Sequence, residues 1–588
     1  MALLTVQNLH IEFSSRHGSV TAIKDVTLSL EKGEILGVVG ESGAGKSTVG
    51  NAIMGLLEPP GKMTAGSIYL GDRRIDQLPR NQFREIRGRR ISMIFQDPLT
   101  SLDPLQTVGD QLVETIRVHL RLSLHSARTR AVEILESVGI PQAEMRLHQY
   151  PHQFSGGMRQ RVVIALAICC EPQVLIADEP TTALDVSIQA QILDLLRKLC
   201  KEKQVGMIII THDMGVIAEV TDRVAVLYRG LLVEQGTTQK ILGSPDHPYT
   251  KSLISAVPRA DVKLRRFPMV TYIEDIQAPV KKEFDVATHW LGQQRDFGPA
   301  RGDTPLVRAR NLGMRFVLRD SFLKKNRVVL DAVKDVSFSI DEGEVFGLVG
   351  ESGSGKSTIA RLIAGLYKPN TGSVIFNDVD VSRLGDEHKL NAFRRQIQMV
   401  FQDPFSSLNP RMHILDIVAE PIRFHKLTRD EKQTKEIVAD LLDYVGLGVQ
   451  ALTRFPHEFS GGQRQRICIA RALATRPRFL ICDEPTSSLD VSIQAQILNL
   501  LKDLQEKLHL TILFISHDLP VIRQMCDRVG VMRNGQLLEV AATEEFFSNP
   551  RHDYSKHLLS LVPTLDFLSR EGLDLQHGSL PADVVQSG

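Results

Sequence analysis

Cysteine is scarce in this chain of 588 residues: Cys169, Cys170, Cys200, Cys468, Cys482 and Cys526 form no CxxC pair and no spacing that suits a metal ion. That argues against a disulfide scaffold or a thiolate metal site, and reads as small buried apolar residues of a reducing compartment. The expected compartment is the cytoplasm. No apolar run reaches the roughly 18 residues of a membrane-spanning helix; the best candidate, Val162 to Cys170, is about half that length. The first residues, Met1 to Val6, hold no basic stretch followed by an apolar one, so no export signal is expected. Nor is one sign of charge in excess. Lys+Arg 70 against Asp+Glu 69 leaves a net charge of +1, which argues against a surface built for nucleic-acid phosphate or for broad attraction to an anionic membrane.

What the chain does hold is a glycine-rich stretch, written twice. Gly40-Glu41-Ser42-Gly43-Ala44-Gly45-Lys46-Ser47-Thr48 meets the phosphate-cradling spacing GxxxxGK[ST] in full. The apolar run Ile35 to Val39 feeds it as a strand, and Val49, Ile53, Met54 and Leu57 recur at helical spacing, predicting a helix from Ser47 to Leu57. Glycines let successive N–H groups turn onto phosphate oxygens, and the helix N-terminus adds its positive end. Lys46 supplies a point charge, and Ser47 is placed to ligate a Mg²⁺ that bridges the outer phosphates. The same stretch recurs, with Ser for Ala, as Gly350-Glu351-Ser352-Gly353-Ser354-Gly355-Lys356-Ser357-Thr358.

Other residues are individually ambiguous. Phe13, on a strand before the first loop, can stack a nucleotide base or sit as an ordinary strand phenylalanine. Gln96 ends a short strand that starts at Ile91, at a turn where it can face a metal and water or only solvent. After a mixed helical insert from about 105 to 150, Ser155-Gly156-Gly157-Met158 opens a helix whose N–H donors suit an anion or merely a cap. Val174 to Ala177 reads as a strand buried on both faces that delivers Asp178-Glu179 to its end. There an Asp can hold Mg²⁺ and the next Glu can polarise a water. The turn Thr181 to Asp185 follows, and a further apolar strand, Met207 to Ile210, leads to His212.

From Leu306 the pattern repeats in order. Phe316 matches Phe13, Gln402 matches Gln96, Ser460-Gly461-Gly462-Gln463 matches Ser155 to Met158, Asp483-Glu484 matches Asp178-Glu179, and His517 matches His212. Even the closing segment returns, with Pro550, His552 and Tyr554 matching Pro245, His247 and Tyr249. The expected organisation is a first domain over 1–260, an irregular connection over 261–304, a second domain over 305–565 and a mobile tail over 566–588.

Five signals in fixed order, twice, resemble the ATP-binding cassette ATPases. The resemblance implies an α/β chain of two tandem P-loop nucleotide-binding domains, each with a RecA-like core, an antiparallel β subdomain and a helical subdomain. It implies ATP and Mg²⁺ as cofactors and two composite sites made by intramolecular pairing of the cassettes. One would join Phe13, Gly40, Gly43, Gly45, Lys46, Ser47, Thr48, Gln96, Asp178, Glu179 and His212 to Ser460, Gly461, Gly462 and Gln463. The other would join Phe316, Gly350, Gly353, Gly355, Lys356, Ser357, Thr358, Gln402, Asp483, Glu484 and His517 to Ser155, Gly156, Gly157 and Met158. Catalysis would fall to Glu179, Glu484, His212, His517, Gln96 and Gln402. Metal binding would fall to Ser47, Gln96 and Asp178, and to Ser357, Gln402 and Asp483. Met158 departs from the usual glutamine, which makes the second site the weaker of two competent ones.

Gln96 to Pro104, Gln402 to Pro410 and the Pro-x-His-x-Tyr segments are similar to the ATPase subunits of dipeptide and oligopeptide importers. The fused pair resembles the double-cassette ATPases of glutathione and microcin-type peptide importers. That implies two integral-membrane permease subunits, an external peptide-binding protein, a peripheral place on the cytoplasmic face of the membrane, and no nucleic-acid partner. The helical inserts would dock on the permeases. Some relatives carry a cysteine cluster for an iron–sulfur centre after the cassette; no cysteine lies between Cys200 and Cys468 or after Cys526, so none is expected. The rival readings are a double-cassette clamp on ribosomes or damaged DNA, an export ATPase, and an importer of another small solute. The first two lack their own marks here: a long charged arm or CxxC sets, and fused membrane spans.

Overall fold

The computed structural model describes residues 2–15, 18–181, 184–270, 289–292, 304–319, 328–487 and 489–562. The expected tail, most of the connection and part of the turn after Asp178-Glu179 lie outside the described residues. Contacts divide the chain into two compact units, one of Met1–Pro180 and Leu193–Ile254, the other of Thr181–Ile192 and Ser255–Val562. Among the described residues no helix is long and apolar enough to cross a membrane.

In the first unit, Leu4–Ser15 lies between Gly18–Leu30 and Gly61–Leu70, with Arg73–Arg74 at the edge, in an antiparallel sheet. Alternation decides its faces from Val26 on, with Val26, Leu28 and Leu30 buried and Thr27 and Ser29 not, and a register shift beside Asp25 (φ 56) brings Ile23 into the same core. A six-stranded sheet follows, in the order Leu231–Thr237, Arg223–Tyr228, Ile35–Val39, Gly206–Ile210, Val174–Asp178, Ile91–Ile94. It is parallel except at the first pair. Ile35–Val39, Val174–Asp178 and Gly206–Ile210 are buried at every position, as their unbroken apolar runs require of strands covered on both faces. Each such Val or Ile contributes about 1.5–3 kcal/mol by its burial.

The helix leaving the phosphate loop runs only over Lys46–Ile53, shorter than the periodicity predicts. Gly55 turns to φ 61, which breaks the helical path, while Leu56 and Leu57 still pack on the core. The insert supplies two helices, Val108–Leu120 and Leu124–Ser137, each capped by a side-chain hydroxyl, Thr107 and Ser123. The signature helix is Gly156–Ile168.

The second unit repeats both sheets. Its arm helices are Ile414–Phe424 and Glu431–Tyr444, and its signature helix is Gly461–Leu473. It also takes in part of the connection. Residues 259–267 lie along the helices Val491–Leu508 and Leu519–Met525: Gln524 Nε2 donates to Arg259 O, Asn499 Nδ2 donates to Phe267 O, and Phe267 N donates back to Asn499 Oδ1. Phe267, Trp290 and Leu291 are buried in the same core as the arm helices.

Candidate nucleotide sites

The first phosphate loop is shaped by close approaches. A Cβ at Gly40 would lie 2.1 Å from Leu227 O, so only glycine fits there, and Gly43 needs its φ of 79 although nothing crowds it. Lys46 is buried and its Nζ donates to Gly40 O at 2.7 Å and Glu41 O at 3.0 Å. Lys356 is held the same way by Gly350 O at 2.8 Å and Glu351 O at 3.2 Å. Burial lowers the Lys356 ammonium, against the pull of Glu484 and Asp483. In the second unit Ser352 N also donates to Asp185 Oδ2 at 3.3 Å.

Ser47 Oγ donates to Asp178 Oδ1 at 3.0 Å, and Ser357 Oγ to Asp483 Oδ1 at 3.0 Å. Burial pushes Asp178 up to about 6, with the Ser47 hydrogen bond opposing and the neighbouring Glu179 adding to the rise. Asp483 is raised for the same first cause. A hydroxyl beside a buried carboxyl that resists ionisation is a donor set that a hard divalent cation would relieve, so the residues fit Mg²⁺.

The adjacent glutamate is clasped from two sides. Gln96 Nε2 donates to Glu179 Oε2 at 2.7 Å, and His212 Nδ1 lies 3.0 Å from Glu179 Oε1. In the second unit Gln402 Nε2 donates to Glu484 Oε2 at 2.9 Å and His517 Nδ1 lies 3.3 Å from the same oxygen. Burial alone would raise Glu484, but His517, Lys356 and Gln402 together outweigh it and leave it lowered. Burial likewise pulls His517 down, and Glu484 more than restores it. An ionised carboxylate only accepts, which places the hydrogen on Nδ1. Both glutamates sit in the left-handed region, φ 46 and 48, a cost of about 1 kcal/mol or more for a side chain with a Cβ. Glu179 N donating to Ile210 O and Glu484 N donating to Ile515 O hold them there.

Thus Lys46, Ser47, Gln96, Asp178, Glu179 and His212 gather at one end of the parallel sheet, as do their six counterparts. Phe13 and Phe316 are not part of these hydrogen-bonded clusters. Both are half-buried on their strands; a Cβ at Gly61 would lie 2.7 Å from the Phe13 ring, and Phe316 meets Tyr367 edge-on. Ser155 and Ser460 cap their signature helices, accepting from Met158 N and Gln463 N. Gln463 Oε1 also accepts from Ser460 N at 3.1 Å, a reciprocal box that Met158 cannot make.

Two residues here carry no role in the motif reading. Glu41 N donates to Tyr249 Oη at 3.1 Å and Glu351 N to Tyr554 Oη at 3.4 Å, so the closing-segment tyrosines brace the phosphate loops. Burial raises the Tyr554 phenol to about 12 and keeps it neutral. His247 and His552 set the entry to each tyrosine's helix, accepting from Tyr249 N and Tyr554 N. The doubled His-x-Tyr spacing was the available signal.

The ABC transporter family matches residues 23–182 and 333–487, and the C-terminal region of oligopeptide/dipeptide transporters matches 233–281 and 538–587. The chain is 46% identical over 575 residues to the glutathione import ATP-binding protein GsiA of Escherichia coli (strain K12), covering 96% of this chain and 90% of that protein. The protein of the same name from Shigella sonnei (strain Ss046) matches equally, at 46% over the same shares. Among solved structures, a dimeric post-hydrolysis state of the ATP-binding cassette MJ0796 bound to ADP and Pi is 30% identical, with a TM-score of 0.37, over 40% of this chain and 98% of that one.

Proposed function

The chain belongs to the ABC transporter family, and we propose that its two cassettes pair around two Mg-ATP, hydrolyse them at two composite sites, and pass the motion to two membrane permease subunits. Its reaction is ATP hydrolysis coupled to import, and its relatives place it in the dipeptide and oligopeptide class. The observation that carries the mechanism is the clasp on each glutamate. Gln96 and His212 hold both oxygens of Glu179, fixing the carboxylate where it can take a proton from an attacking water. Lys46 brings buried positive charge to the outer phosphates, and the loop N–H groups receive the rest. Ser47 and Asp178 would hold Mg²⁺, which supplies charge neutralisation between the outer phosphates. Ser460, Gly461, Gly462 and Gln463 would close the first site, and Ser155, Gly156 and Gly157 the second. Phe13 and Phe316 would stack on adenine.

The helical inserts would dock on the permeases. Leu99, Leu105 and Val118 in the first and Phe405 and Phe424 in the second are large apolar side chains left exposed, which supports that reading. An external binding protein would choose the peptide, and the chain would lie on the cytoplasmic face of the membrane. Gentle solubilisation and pull-down of the full chain tests this: two polytopic membrane proteins are expected, and recovery with ribosomes or DNA alone would overturn it.

A further inference from the structure

The last turn of a helix leaves carbonyls without intrahelical partners, and something must satisfy them when that end is buried. In the first cassette the signature helix ends at Cys169, whose carbonyl accepts from Arg130 Nε at 2.8 Å. Arg130 lies on the arm helix Leu124–Ser137, and its Nη2 also pairs with Glu171 at 3.2 Å. One guanidinium thus ties the arm to the end of the helix that begins at Ser155.

The second cassette has lost that guanidinium. Aligning the arm helices by their N-caps, Ser123 and Asp430, and their C-caps, Val138 and Val445, pairs Arg130 with Ile437, which has no donor. Cys169 corresponds to Ala474 and Glu171 to Arg476, so the charge at the latter position is reversed. The chain's one tryptophan fills the gap. Trp290 Nε1 donates to Ala474 O at 3.2 Å, and the Arg476 guanidinium lies 4.1 Å from its ring centroid. The adjoining His289 pairs with Asp440 on the arm helix at 2.8 Å and meets the Tyr444 ring at 5.6 Å. Both contacts of Arg130, to a C-cap carbonyl and to a left-handed charged residue two positions on, reappear with an aromatic donor and an opposite charge.

We propose that Trp290 is a positioning residue for ATP hydrolysis: the connection between the cassettes supplies the tie that aims the second signature helix. The connection is then a working part of the second cassette, anchored on its core by Phe267, on its arm helix by His289 and on the end of its signature helix by Trp290. This rests on reading Ser460 to Gln463 as nucleotide contacts.

The test uses the full chain, with steady-state hydrolysis, binding of a fluorescent ATP analogue and thermal melting. W290A is expected to lower kcat roughly three- to tenfold, because small misplacements of binding groups cost rate, with KM and analogue affinity moved less than about twofold. W290F keeps a ring over Arg476 but loses the N–H, and a smaller loss of kcat in the same direction is expected. The variant W290A/I437R/R476E rebuilds the first-cassette tie, and most of the lost kcat should return. S460R, as a parallel probe of the signature, should abolish turnover. If S460R abolishes turnover while W290A and W290F keep the parent kcat, the role of Trp290 is overturned and the signature reading stands. Full turnover in S460R overturns both. A fall in melting temperature with kcat and affinity lost together in W290F shows a merely structural role, and a folded triple variant still at the W290A rate refutes the equivalence with Arg130.

Discussion

The two cassettes agree at their candidate sites and diverge at both ends of the signature helix. Gln96, Glu179 and His212 are joined by contacts of 2.7 and 3.0 Å, and Gln402, Glu484 and His517 by 2.9 and 3.3 Å. At the helix that opens with Ser-Gly-Gly, however, the first copy has Met158 where the second has the reciprocal cap of Gln463, and the far end is tied by Arg130 in one and Trp290 in the other. Reacting groups tolerate little displacement, whereas a capped helix end needs only a donor of the right reach. Support can therefore diverge while the site does not.

The sharpest way to break the equivalence is to remove one proposed base at a time. Glu179→Gln and Glu484→Gln should each cut turnover by about 10²-fold or more in single-site measurements, the range expected for losing a general base. A parent rate in either variant would show that only one site works.

Acid sharpens the comparison of the proposed Mg²⁺ sites. Asp178 is raised to about 6, so its proton must leave before the carboxylate can ligate Mg²⁺. Affinity for Mg-ATP at the first site is expected to fall by about tenfold for each pH unit below that value. Asp178→Asn should flatten this pH dependence when binding is followed by titration. For stability without nucleotide the sign reverses: a raised carboxyl holds its proton better in the folded state, so its contribution declines as pH rises from its ordinary 3.8 through about 6.

Smaller effects are expected from the braces. Tyr249→Phe and Tyr554→Phe each remove one acceptor from a loop N–H, a loss of about 1 kcal/mol. ATP affinity measured on each variant should fall roughly fivefold, and unequal losses would show which loop depends on its closing segment. Met158→Gln should rebuild the missing cap and raise the melting temperature by a degree or two, for a gain of about 0.5 kcal/mol; no change would mean the difference between the two signatures is not one of capping.

The phosphate loops, the Asp-Glu strand ends and the signatures were legible because each is a local spacing, set by a strand, a turn and a helix start within about ten residues. Periodicity overstates the helix after Lys46, because it continues through Leu57 although Gly55 has already turned the chain. The stretch from about 261 carries no regular pattern, and for that reason reads as a connection between domains with some local structure. Yet Phe267 and Trp290 are buried in the second cassette's core, since side chains that pack onto another element's face need no period of their own.

The order of residues by itself pointed to the groups proposed to carry the chemistry and determined that they occur twice, because a phosphate cradle is built from consecutive backbone N–H groups. Only the tertiary structure decided that Gln96 and His212 close on opposite oxygens of Glu179, that Tyr249 reaches back to Glu41, and that Trp290 finishes the second signature helix. Those contacts join residues far apart in the chain, and their geometry exists only once the sheet has brought the strand ends together and the core has drawn the connection onto its surface.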